Sequence, residues 1–195
     1  QRATNSLNLS EFTIDSVHTP DGTSKVSIPV KTYDIDGSAI TFSFWIKWNP
    51  SGTYQTIFGY SGQGYRSSIM MNSAGTTLKV EGDTNNYWSQ AAFTALTQDE
   101  WYYFTIVCNG DGTLTFYKDG SVSGMTVTYD KDGSGATETA IDVDITLDQI
   151  GAGGGNTPTY VLDSQLDDVL IYEKALDVKE VLRNYNAGKR SHRNG

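Results

Sequence analysis

The chain has 195 residues, of which 37% are hydrophobic, 12% aromatic and 19% charged, with 20 Gly and 12 Tyr. That length carries one domain with a sizeable core, and the aromatic content excludes a disordered chain; no apolar run is long enough to span a membrane as a helix, and the Tyr-, Thr- and Gly-rich profile argues against a helix bundle. The formal charge is −9, and residues 1–188 alone hold 11 basic against 23 acidic residues, net −12, which repels nucleic acid and anionic membranes and suits a neutral ligand or a cation.

The chain starts at Gln1, not Met, with no legible signal peptide, so it is expected to be a processed product or part of something longer. Period-two alternation then dominates. In residues 40–48, Phe42, Phe44, Ile46 and Trp48 share one strand face, and Thr41, Ser43, Trp45 and Lys47 the other. Tyr102, Phe104, Ile106 and Cys108 repeat the pattern in 101–108. Strands 101–108 and 113–118 form a predicted hairpin, because Asn109-Gly110-Asp111-Gly112 is rich in residues that accept positive φ. Further strands are expected at 25–30, 54–60, 67–72, 77–82, 87–93, 122–128, 143–150 and 165–172, separated by Gly, Asn, Asp and Ser clusters. The run Gly151–Gly155 has no helix after it and reads as a flexible loop, not a phosphate cradle.

One helix is legible, over 178–186. Asp177 with Glu180 makes a capping box, Leu176 with Val181 a hydrophobic staple, and Gly188 a helix stop. Lys189, Arg190 and Arg193 follow as a basic tail over 189–195, so residues 1–188 form the single domain. The fold class is all-β: two antiparallel sheets packed as a jelly-roll sandwich with one short C-terminal helix.

The ordered motifs resemble a known family. Ile40 to Lys47 is similar to the early strand of laminin-G-like, concanavalin A-like lectin and glucanase domains, and Tyr54 to Gly59 to the strand after it. Glu100 to Val107 resembles the strand usually opened by Trp-His-His, with Tyr102 and Tyr103 replacing both histidines. Gly112 to Gly120, Leu166 to Tyr172 and Ala175-Leu176 resemble the later strands and the start of the helix, and Ser24 to Pro29 the first strand more loosely. The resemblance covers about residues 24–186 and implies a pentraxin-like jelly roll, frequent glycan or protein binding, and often a structural Ca²⁺. In many such relatives the ion lies between the loop before an early strand and an acid in the last strand. The matching positions here are Asp36, Gly37 and Asp167. The residues themselves do not spell an EF-type loop: after Asp34-x-Asp36-Gly37 and Asp130-x-Asp132-Gly133, the final Glu is replaced by Trp45 and Ile141.

Catalysis is not expected. Glycoside hydrolysis needs two flanking carboxylates; relatives of this fold with retaining activity carry their acids on one strand face as Glu-x-Asp-x-Glu or Glu-x-Asp-x-x-Glu, and Glu81-Gly82-Asp83-Thr84-Asn85-Asn86 lacks the third acid in either spacing. His18 and His192, one near each end, leave no His-rich zinc site and no local nucleophile pair, and Cys108, among Phe104, Ile106 and Val107, reads as a core thiol. Binding is better supported, since aromatic faces pack on sugar C–H surfaces while amides and acids bond hydroxyls. Candidate ligand residues are Asn85, Asn86, Tyr87 and Trp88, then Tyr65 and Arg66 in a Gly-rich loop, and Tyr160; in the plainer reading Tyr87 and Trp88 alternate between core and surface, and Trp45, Trp48 and Trp101 pack. The expected function is a non-catalytic module binding a glycan or glycoprotein surface, for adhesion in an extracellular or particle-surface assembly. A rival is a virion or appendage decoration subunit, with homo-oligomer or particle contacts through the C-terminal tail. A glycan hydrolase or lyase is the third class.

Overall fold

The computed structural model describes residues 12–17, 25–62, 67–82, 87–130, 138–153 and 160–193. Within them the alternating stretches become strands β1 (Phe12–Val17), β2 (Val26–Asp34), β3 (Ala39–Lys47), β4 (Gln55–Gly59), β5 (Ser68–Met71) and β6 (Thr77–Glu81), then β7 (Trp88–Ala92), β8 (Trp101–Asn109), β9 (Leu114–Lys118), β10 (Thr126–Asp130), β11 (Asp144–Ile150) and β12 (Gln165–Tyr172); helix α1 (Val178–Arg193) follows. They form an antiparallel sandwich, with a five-stranded sheet in the order β1-β12-β3-β8-β9 and a seven-stranded sheet in the order β10-β7-β6-β5-β4-β11-β2.

Period two explains the core. Phe42, Phe44 and Ile46 of β3 and Phe104 and Ile106 of β8 face the seven-stranded sheet, and Phe42 and Phe44 meet Phe58 of β4 at 5.4 and 6.2 Å between ring centroids. Trp48 is buried in the same core. The 101–118 hairpin forms as expected, with Gly110 and Gly112 at φ 80° and 77°, a region that costs glycine least. Cys108 is buried and unpaired, and desolvation pushes its thiol up to about 12.

Among the differences from expectation, three bear on the ends of the sheets and the helix. β1 lies outside the expected strands; it pairs along β12 from Phe12 opposite Ile171 to Val17 opposite Leu166. β10 starts later than expected because Ser121 and Lys118 close a tight turn by mutual backbone hydrogen bonds of 2.8 and 3.0 Å. The helix does not stop at Gly188 but runs on through residues 189–193. Its start follows the predicted box: Glu180 N–H donates to Asp177 Oδ1 at 2.9 Å and Asp177 N–H to Glu180 Oε2 at 3.1 Å. Leu176 and Val181 pack together with Val107 and Tyr117. Gly188 is buried inside the helix because Trp45 occupies the space a Cβ would need. His192, one turn on, then holds the last turn to the five-stranded sheet.

Candidate functional site

Directly opposed residues on paired strands project to one face of a sheet. The registers therefore lay one row across the outer face of the seven-stranded sheet: Asp130, Trp88, Glu81, Ser68, Gly59 and Gln149. A second row holds Thr128, Gln90, Lys79, Met70 and Thr56. Their neighbours Leu78, Val80, Ile69, Met71 and Ala91 point the other way, into the core. The face is graded. Trp88, Lys79, Gln90 and Thr128 are half-buried, whereas Glu81, Asp130, Ser68, Met70, Thr56 and Gln149 are buried.

Lys79 organises the open part. Its Nζ lies 3.3 Å from Glu81 Oε1 and 5.3 Å from the centroid of the Trp88 ring. An indole, an ammonium, an amide and a hydroxyl are thus offered on one surface, above the buried carboxylates of Glu81 and Asp130. Such a set presents an apolar plane together with donors and acceptors for hydroxyl groups.

The candidates from the sequence separate. Trp88 turns outward into this face while Tyr87 packs partly against the core, the alternation of the plainer reading. Tyr160 is elsewhere: it is 38% exposed and meets Tyr54, 41% exposed, edge to face at 5.9 Å near the start of β4. Asn85, Asn86, Tyr65 and Arg66 lie outside the described residues, as does His18. Lys79, Gln90, Asp130, Gln149 and Thr56 had escaped sequence reasoning, because only strand register assigns them to the face of Trp88.

The metal candidates also separate. Asp36 and Gly37 sit in the turn after β2, where Gly37 N–H donates to Asp34 Oδ1 at 2.7 Å. Carboxylate oxygens of Asp34, Asp36 and Asp144 lie within 4.8 Å of one another. Hydrogen bonding to Asp34, then burial and Asp142, hold the Asp36 carboxyl above its ordinary 3.8. Asp167 does not join them. It lies opposite Trp45 on β3, whereas Thr41, nearer the Asp36 turn, lies opposite Tyr172. Its Oδ2 is 3.1 Å from His192 Nε2, and its Oδ1 accepts from Asp168 N–H at 2.8 Å. The set Asp36, Gly37 and Asp167 therefore does not fit one ion, while Asp34, Asp36 and Asp144 offer the hard oxygen donors a Ca²⁺ takes.

A cavity of about 460 Å³ opens beside this turn, lined by Lys31, Tyr33, Asp34, Ser38, Ile40 and Glu173, and the Lys31–Glu173 ion pair bridges it. Burial, then the Glu173 charge, pushes the Tyr33 hydroxyl up to about 12. Ser191, His192 and Asp167 mimic a triad in composition only. Ser191 Oγ is 3.3 Å from His192 Nδ1, but it donates to the Gly188 carbonyl at 2.9 Å, and the imidazole side chain is only 3% exposed.

Comparison with known proteins agrees with this architecture. A family model described as the concanavalin A-like lectin/glucanases superfamily matches residues 20–182. The carbohydrate-binding module CBM40 of the Ruminococcus gnavus IT-sialidase, solved bound to α2,3-sialyllactose, superposes with a TM-score of 0.61 at 12% identity over 89% of this chain and 97% of that one. A mutant of the NanB sialidase from Streptococcus pneumoniae gives 0.57 at 17% identity over 88% of this chain, which spans only 27% of the sialidase. The binding domain of botulinum neurotoxin DC, solved with rat synaptotagmin II, gives 0.51 at 19% identity over 94% and 44%. No curated protein sequence matches the chain. Among the described residues no helix is long and apolar enough to cross a membrane.

Proposed function

Since the chain belongs to the concanavalin A-like lectin/glucanase superfamily, we propose that it is a non-catalytic carbohydrate-binding module whose ligand lies across the outer face of the seven-stranded sheet. The observation that carries this reading is the row in which Trp88 stands between Glu81 and Asp130 with the Lys79 ammonium against its ring. Trp88 supplies the apolar plane for a sugar ring, and Lys79, Gln90 and Thr128 supply partners for its hydroxyls. Glu81, buried beneath, engages Lys79 at 3.3 Å and fixes its ammonium beside the indole. The glycan-bound CBM40 of like fold supports the same class of ligand by analogy of fold alone.

A calcium ion, in this reading, is held by Asp34, Asp36 and Asp144, at a distance from the ligand, and serves the turn after β2. The setting is an extracellular or particle surface, where an acidic adhesion module meets glycoproteins. Glycan-array screening, followed by calorimetry on the wild type and Trp88→Ala, tests the proposal. Binding to at least one glycan, weakened by the substitution, supports it. Turnover of a polysaccharide in a reducing-end assay, or binding indifferent to Trp88, overturns it.

One observation favours the structural rival. Val178 and Leu182 on one face of α1 are 58% and 44% exposed, and Val122 is 51% exposed. Leu182 adjoins Gly120, which brings the three near one another. That apolar surface suits a protein contact within an assembly. In this rival the helix, and not a loose tail, makes the contact. Light scattering on the wild type and Leu182→Glu tests it: a shift to smaller species in the variant favours it, and a monomer in both excludes it.

A further inference from the structure

Two buried polar side chains on the outer face of the seven-stranded sheet make no hydrogen bond. Gln149 is 1% exposed with both Nε2 and Oε1 unpaired, and Thr56 is fully buried with its Oγ1 unpaired. Gln149 lies opposite Gly59, so its carboxamide projects on the face where Gly59 offers no side chain. Thr56 stands on the same face opposite Met70, itself buried. The segment Gly151–Gly153 roofs this corner. Gly151 N–H donates to the Ile57 carbonyl at 2.9 Å, the Ala152 carbonyl packs over Gly59, and Gly153 covers Thr56. Buried polar groups are nearly always paired, so an unpaired carboxamide and an unpaired hydroxyl under one roof mark a place for a guest.

We propose that Gln149 and Thr56 form an inner subsite that takes the acetamido group of an N-acetylated amino sugar, an inference that rests on the carbohydrate-binding reading. A carboxamide carries donors and an acceptor side by side, and an acetamido group returns the complementary carbonyl and N–H. A hydroxyl in its place engages only one of the two well. The Thr56 hydroxyl adds a further partner, and Met70 supplies an apolar wall for the acetyl methyl. The guest lifts Ala152 and Gly153 off β4, and the pairing it brings offsets the polar atoms left bare under the closed roof. Four strand steps separate Trp88 from Gln149 along one row, roughly 19 Å at the usual spacing. An oligosaccharide of that span, passing over the buried Glu81 and Ser68, places its acetamido sugar at the β4–β11 end.

The test is calorimetric titration with N-acetylglucosamine oligosaccharides and with glucose oligosaccharides of the same length and linkage. Wild type, Gln149→Leu, Thr56→Val and Trp88→Ala are compared, with thermal melts of each. The wild type is expected to favour the N-acetylated series by about tenfold, and each of the first two variants to erase that preference while keeping the wild-type melt and the binding of glucose oligosaccharides. Equal preference in wild type and both variants means that Gln149 and Thr56 hold only buried water, and overturns the subsite. A wild type that binds both series alike, still dependent on Trp88, overturns the subsite and leaves the carbohydrate-binding reading standing. Absence of binding to either series, and to a wider glycan array, overturns both.

Discussion

The imidazole of His192 lies flat on the indole of Trp45, ring centroids 4.3 Å apart and planes 6° apart, while Trp101 meets it edge-on at 4.7 Å. Its Nδ1 donates to the Gly188 carbonyl at 2.7 Å, and its Nε2 reaches Asp167 at 3.1 Å. One side chain thus joins the last turn of α1 to both β3 and β12. His192→Ala removes the stack and both polar contacts, and is expected to cost about 2–4 kcal/mol in urea unfolding. His192→Phe keeps the stack and should fall between alanine and wild type.

Gly188→Ala should destabilise, against the usual sign. In an ordinary helix interior alanine gains about 1 kcal/mol over glycine. Here a Cβ would fall on Nε1 and Cε2 of Trp45, whose side chain is fully buried and cannot retreat. The expected loss is about 1–3 kcal/mol, read by thermal melting, together with a weaker Trp45–His192 stack in the near-ultraviolet dichroism.

The Asp34–Asp36–Asp144 cluster makes a pH prediction. The Asp36 carboxyl is raised above 3.8 in the folded protein, chiefly by its hydrogen bond to Asp34. A raised carboxyl favours folding at pH below the unfolded value and loses that contribution as pH climbs through the folded value. Asp36→Asn should therefore raise the melting temperature at pH 7 relative to wild type and lose its advantage below pH 3.8. Calcium should raise the wild-type melting temperature at pH 7 and leave Asp36→Asn unchanged, with EDTA reversing the effect.

Cys108 should be inert in the native state. It is fully buried in the core, and its thiol is pushed up to about 12, so almost no thiolate exists at pH 8. A chromogenic disulfide reagent should react only at the rate of unfolding, and fully in denaturant.

On the ligand face, Trp88→Ala should weaken glycan binding by about tenfold or more, as loss of a stacking plane does elsewhere. Lys79→Met, which keeps the side-chain volume, should weaken binding less and should lower its dependence on salt.

Most of the sandwich was legible because its strands carry their own signal. In β3 and β8 each second residue is large and apolar, and Asn109 to Gly112 accepts the backbone that a hairpin turn requires. The helix start was equally local, since Asp177 and Glu180 lie within one turn and bond to each other. β1 carries only a brief alternation, Phe12 and Ile14 against Thr13 and Asp15, and its ladder along β12 is what establishes it.

The chain alone determined two alternating layers, a capped helix and an acidic body, because these depend on residues close in sequence. Tertiary structure decided what stands beside what. Trp88 gained Lys79, Glu81 and Asp130 through a register that no local pattern contains, Asp167 was drawn to His192 instead of Asp36, and the helix ran on past Gly188, where Trp45 leaves no room for a Cβ. Hydrophobic periodicity tells a side chain which way to point, but its neighbours across a sheet follow from strand order and bulges, which the whole core selects at once.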